Sequence, residues 1–85
     1  MTDYETLVKI STTLNKTIIN QIRAFKYDIL NLEIDKVTDH LINNEYDQLK
    51  HYILYTLDIE PEQYYILSGL ISQLELVNYL IMNGG

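Results

Sequence analysis

The first sixty residues contain neither glycine nor proline. Those two residues interrupt helices most reliably, so nothing in this stretch opposes the period written into its apolar positions. Leu7, Ser11, Leu14, Ile18, Ile22, Phe25, Ile29 and Leu32 step by 4, 3, 4, 4, 3, 4 and 3, which lays one stripe along an α-helix. Thr2-Asp3-Tyr4-Glu5 reads as a capping box, the Thr2 hydroxyl serving the Glu5 amide and the Glu5 carboxylate reaching back. The pattern predicts a first helix over residues 3–32. Thr12-Thr13 and Asn15-Lys16-Thr17 are the places where it would divide.

A second helix is expected over 35–57, with Asp35 as its N-cap. Its stripe is Ile34, Val37 and Leu41, then Leu49, Ile53 and Leu57, bridged by Ile42 and Tyr46. Asn43-Asn44 is its weak point, because adjacent Asn side chains compete for backbone hydrogen bonds. Pro61 disfavours helical geometry at Glu60 yet suits the first turn of a new helix. Asp58, Glu60 and Glu62 lie near that helix's positive end, where negative charge is stabilising. This third helix is predicted over 61–82 and should end at Asn83-Gly84-Gly85 in a left-handed residue. Long helices joined by short connections give one all-α domain over 1–85, an antiparallel three-helix bundle in which one long helix is allowed to break in two.

The third helix is apolar nearly all round. Leu67, Leu70, Leu74, Val77 and Ile81 form its strict stripe, Ile66, Leu76 and Leu80 lie largely off it, and Glu75 is the only charge between Gln63 and Asn83. Such a helix must be covered on more than one side. The expectation is a homodimer formed through that stripe; a compact monomer with this helix central is the alternative. A membrane span would need about 20 predominantly apolar residues with basic flanks. Ser68, Gly69, Ser72, Gln73, Glu75 and Asn78 interrupt the run, and no Lys or Arg flanks it.

With no cysteine, disulfides, thiolate zinc sites and cysteine nucleophiles are excluded. A formal net charge of −6 disfavours non-specific binding to nucleic acid or anionic lipid. The acidic start Met1-Thr2-Asp3-Tyr4-Glu5 is unlike a secretory leader, and a cytoplasmic protein is expected. Twelve Ile, eight Tyr and seven Asn against one Ala, one Arg and one Pro favour A/T-rich codons, as in a mobile element of an A/T-rich genome. Ser11, Ser68 and Ser72 stand in no recognised nucleophile setting, and Gly69, Gly84 and Gly85 cannot build a phosphate loop. On a continuous second helix His40, Asn44, Asp47 and His51 would form one line, but without HExxH or ExxH spacing. No enzyme, cofactor or metal is predicted.

Two surfaces suggest binding. Lys9, Lys16 and Arg23 recur every seven positions, with Lys26 close by, the footprint of phosphate contacts on the first helix. The same cations would also serve to pair acidic groups on a neighbouring helix. Tyr52, Tyr55, Tyr64 and Tyr65 flank the Pro61 turn, interleaved with Asp58, Glu60 and Glu62. Tyrosine is enriched in protein interfaces, so this acidic corner suits a basic protein surface; equally, Tyr52 and Tyr64 would cap the core with their hydroxyls in water. Leu57-Asp58-Ile59-Glu60-Pro61-Glu62 also resembles the tail of helix-turn-helix domains of phage-repressor type, but the glycine-centred turn that would precede it is missing. The reading is a helical interaction module, a regulator or inhibitor of a protein partner. The alternatives are a nucleic-acid accessory protein and a structural subunit of a larger assembly.

Overall fold

The computed structural model describes residues 3–84. Among these the regular structure is all helical: α1 (Tyr4–Phe25), α2 (Asn31–Ile42), α3 (Tyr46–His51), which continues into a π-helical turn at Tyr52–Thr56, and α4 (Pro61–Met82). The 22-residue helices α1 and α4, each about 33 Å long at 1.5 Å per residue, set the long axis of a 40 × 23 × 20 Å molecule. They run antiparallel. Ser11 near the start of α1 bonds Asn78 near the end of α4, whereas Lys26 just past α1 reaches Leu57 just before α4.

Asp3 caps α1, its Oδ1 accepting the Thr6 N–H at 2.8 Å. That bond holds the Asp3 carboxyl below its usual pKa. The Thr2 part of the expected capping box lies outside the described residues, as does Gly85. α1 continues through its suspected weak places, where the side chains bond back to the preceding turn: Thr12 to the Val8 carbonyl, Asn15 to Ser11 and Thr17 to Thr13, at 2.8–2.9 Å.

The expected first and second helices are both corrected. α1 stops at Phe25, and α2 begins at Asn31 rather than after Asp35. No Gly or Pro marks this stop; tertiary contacts outweigh local propensity. The Lys26 ammonium donates to the Leu57 carbonyl at 3.1 Å and lies 3.9 Å from a Glu33 carboxylate oxygen. Leaving the helix at Lys26 makes both contacts possible. Ile29 then packs on the core from the linker while Leu32 faces outward. Glu33 also opens α2, its carboxylate accepting the Leu30 N–H at 3.1 Å.

The second correction falls at Asn43-Asn44, where the 35–57 helix divides. Asn44 is left-handed with φ of 57°. The Glu45 N–H donates to the His40 carbonyl at 2.8 Å and the Asn44 N–H to that of Leu41 at 3.3 Å. This pair of bonds is a Schellman ending with Asn where Gly is commoner. Four α-helices therefore replace the three expected, and Ile42 turns out to solvent instead of bridging the stripe.

The division brings α3 antiparallel to α4. The Ser11 hydroxyl donates to Asn78 Oδ1 at 2.8 Å, the Asn78 amide donates to the Tyr46 hydroxyl, and that hydroxyl donates to Asn44 Oδ1 at 2.9 Å. Beneath this chain lies one apolar core of Ile18, Ile22, Ile34, Val37, Leu41, Leu49, Ile53, Leu57, Leu67, Ile71 and Leu74, with buried Tyr46 at its edge. The end of α4 behaves as expected, with Gly84 at a φ of +81°. The rotation of α4 gives a direct test. Leu74 is fully buried and Leu76 is 60 % exposed. In dilute solution Leu74→Ala should cost roughly 2–5 kcal/mol in urea unfolding, and Leu76→Ala no more than about 0.5 kcal/mol. The reverse order would mean that α4 is turned the other way.

Candidate functional site

The Pro61 corner is built by a change of helical pitch. Leu49, Ile53 and Leu57 are all buried and four residues apart. An α-helix of 3.6 residues per turn would swing each of them about 40° past the last. The wider π turn restores the line, closed by the Leu57 N–H donating to the Tyr52 carbonyl at 3.0 Å. Asp58 then ends the helix in the left-handed region, φ 53°. The extended Glu60 leads into Pro61, and Gln63 Oε1 accepts the Glu60 N–H at 3.2 Å. The Lys26 ammonium on the Leu57 carbonyl supplies positive charge where a helix C-terminus favours it.

This geometry sorts the four tyrosines unequally. Tyr55 and Tyr65 are 73 % and 75 % exposed. Tyr55 stacks on His51, centroids 5.7 Å apart and planes 16° from parallel. His51 is fixed by its Nδ1–H donating to the Asp47 carbonyl at 3.1 Å. Asp47, Lys50, His51, Leu54 and Tyr64 line one shallow groove of about 210 Å³ between α3 and α4, and Tyr65 sits 6.1 Å from Tyr64. Tyr55 and Tyr64 thus flank His51, and Tyr65 adjoins Tyr64. Tyr64 is half-buried and packs on the core as well.

Tyr52 points elsewhere. Its half-buried ring lies 5.9 Å from that of His40, and burial, aided by the charge of Glu33, raises its phenol pKa. Of the acids, Asp58 and Glu60 border a separate hollow of about 300 Å³ with Phe25, Lys26, Leu57, Ile59 and Gln63. Glu62 is exposed on the first turn of α4. The pattern of tyrosines did not reveal His51, Lys50 or Leu54. A usable signal existed in the i, i+4 spacing of His51 and Tyr55, which places two rings on one helix face.

The stripe expected to mediate self-association is corrected. Leu67 and Leu74 are fully buried inside the chain, and Leu70 packs against the same core, with Val77 and Ile81 half-buried further along. α1 and α3 already cover that face. Of the basic group, Lys9, Lys16 and Arg23 are exposed on α1, whereas Lys26 is turned inward to Leu57 and Glu33. The His40–His51 line is broken by the Asn44 turn, and His40 Nδ1–H donates to Glu45 Oε1 at 3.2 Å instead. Among the described residues no three His, Asp or Glu side chains converge as metal ligands. Pro61–Met82 is long and apolar enough to cross a membrane, with mean hydropathy 1.3; here one face of it forms the core.

Set against known protein families, characterised proteins and solved structures, the chain shows no significant match to a family model, a sequence or a fold.

Tyr52 supplies a pH test. A phenol whose folded pKa is raised holds its proton more tightly in the folded state. Its contribution to stability is complete below the ordinary value of 10.0 and is lost as pH rises through the higher folded value. Ultraviolet titration should show one tyrosine ionising late. Glu33→Gln should bring that step part of the way back, and an unchanged titration curve would show that Glu33 does not act on Tyr52.

Proposed function

We propose that the protein is a helical interaction module that regulates or inhibits a protein partner by occupying its surface. The observation that carries this reading is the placement of Tyr55 and Tyr65, each about three-quarters exposed, against His51 and Tyr64 respectively, two residues that line the groove with Asp47, Lys50 and Leu54. Large rings held in place against solvent offer contact area at little further cost in side-chain entropy. Stacking on His51 limits the Tyr55 ring in this way.

The surrounding charge defines the partner. Asp47, Asp58, Glu60 and Glu62 are exposed about the corner, and the chain as a whole carries −6. Lys50 is drawn toward α4, its ammonium donating to the Ser72 hydroxyl at 3.0 Å. Opposite potentials steer association, so the fitting partner presents Lys or Arg around an apolar centre.

Affinity capture from the host, compared between the native chain and a Tyr55→Ala/Asp58→Asn double variant, tests the proposal. Asn keeps the left-handed geometry at position 58 that other side chains resist, so helicity should be unchanged. Retention of the partner should weaken about tenfold or more, the effect of removing one anchor tyrosine. Equal retention would place the interface elsewhere.

A further inference from the structure

The outward face of α4, which shares Tyr65 with the corner, carries a second assignment. Tyr65, Ile66, Gly69, Ser72, Gln73, Leu76, Tyr79 and Leu80 are all exposed and lie on the side of the helix opposite buried Leu67, Ile71 and Leu74. Tyr65, Ile66, Leu76, Tyr79 and Leu80 are 75, 53, 60, 62 and 38 % exposed. At about 200 Å² for a whole aromatic, and somewhat less for an aliphatic, these five side chains leave roughly 500 Å² of largely apolar surface in water. Monomers seldom expose a contiguous patch much above a few hundred Å². The whole chain exposes 5703 Å² at 10.0 kDa, against about 5,200 Å² for a typical folded monomer of that mass.

We infer that this face binds a second copy of the chain, the two α4 helices crossing antiparallel about a two-fold axis between Ser72 and Gln73. A two-fold interface must be self-complementary, each residue i meeting j while j meets i. About that axis Gly69 faces Leu76, Tyr65 faces Leu80, Ile66 faces Tyr79 and Ser72 faces Gln73, every pair occurring twice. The branched Leu76 enters the space left at Gly69. Nothing among the described residues uses that space, since a Cβ at Gly69 would meet no atom within 4 Å. A glycine inside a helix is unfavourable relative to alanine, so close approach by another helix accounts for it where internal packing does not.

Area agrees with this occupant. No charged residue of α4 lies on the face between Glu62 and its end, and Glu75 lies to the side; the Lys50 ammonium of α3 reaches the face at Ser72, 3.0 Å from its hydroxyl. Glu62 and Asn83 close the seam as a polar rim. Pairing removes roughly 1,000 Å² in total, the level at which specific interfaces begin. A lipid surface fits less well. Helices that lie on membranes carry Lys or Arg on the polar side, and none occurs here after Lys50.

Sedimentation equilibrium on the full chain should give twice the 10.0 kDa of one copy. Leu76→Glu and Gly69→Leu should each raise the dissociation constant at least tenfold. Both positions are open to solvent in one copy, so helicity should persist, and Gly69→Leu should not lower the melting temperature of dilute protein. The chain has no native cysteine, which makes orientation readable. Mild oxidation should cross-link the Ser72→Cys variant and leave Tyr65→Cys unlinked, its two copies lying about 22 Å apart along the axis. A native chain that stays monomeric at about 1 mM, dimers indifferent to both substitutions, cross-linking at position 65 in place of 72, or a monomer that co-sediments with phosphatidylcholine vesicles would each overturn the assignment.

Discussion

The Ser11–Asn78–Tyr46–Asn44 chain of hydrogen bonds decides how everything else sits. Each bond contributes only about 1 kcal/mol net, less than one buried leucine. Its force is directional, because the part-buried Ser11, Asn78 and Tyr46 groups meet only when α1, α3 and α4 are aligned in one way. Ser11 and Asn78 occupy positions within the core-facing stripes of α1 and α4. The register that places them opposite each other lets each serve the other. That register brings Ile18 level with Ile71 and Ile22 level with Leu67, all fully buried. Apolar packing supplies the stability, and the polar chain selects one alignment among several that packing would accept.

The same chain gives the Asn43-Asn44 break its structural consequence. For Tyr46 to reach Asn78, the polypeptide must leave α2 and re-enter a helix within a few residues, and left-handed Asn44 permits this while accepting the Tyr46 hydroxyl. At the opposite end of the molecule Lys26 performs a comparable task with charge, joining the end of α1, the start of α2 and the last carbonyl before Asp58. With both ends held, α4 has one side in the core, and its other side is left as the outer surface of the molecule. The tyrosine groove and the outer α4 face are thus consequences of a single packing solution. They meet only near Tyr65.

Much of this was legible in the residues themselves. The absence of breakers, the 3–4 spacing of Leu, Ile and Val, and Pro61 at the head of α4 specify helices, and α4 was placed over its observed span. The stop at Phe25 was not legible, since the stripe runs on through Ile29 and Leu32 without interruption. Contacts of Lys26 far along the chain made the difference, and spacing does not report them. Helix rotation was the larger obstacle. α4 is apolar around most of its circumference, so periodicity offered the Leu67–Ile81 stripe without saying whether it turns inward or outward. The informative residues were the polar exceptions: Asn78 beside the stripe marks the inward side, and Gly69 the outward one. For the corner, four tyrosines close in sequence were read as one patch, but the π turn directs Tyr52 toward α2 and leaves Tyr55 and Tyr64 at His51, with Tyr65 beside Tyr64.

A nuclear Overhauser spectrum of the isotopically labelled chain addresses this packing at its centre. Cross-peaks between the Tyr46 ring protons and the Asn78 side-chain amide are predicted, together with a positive-φ coupling signature at Asn44. An uninterrupted helical pattern from Asn31 through Leu57, with the Tyr46 ring remote from Asn78, would contradict the arrangement from which both surfaces follow.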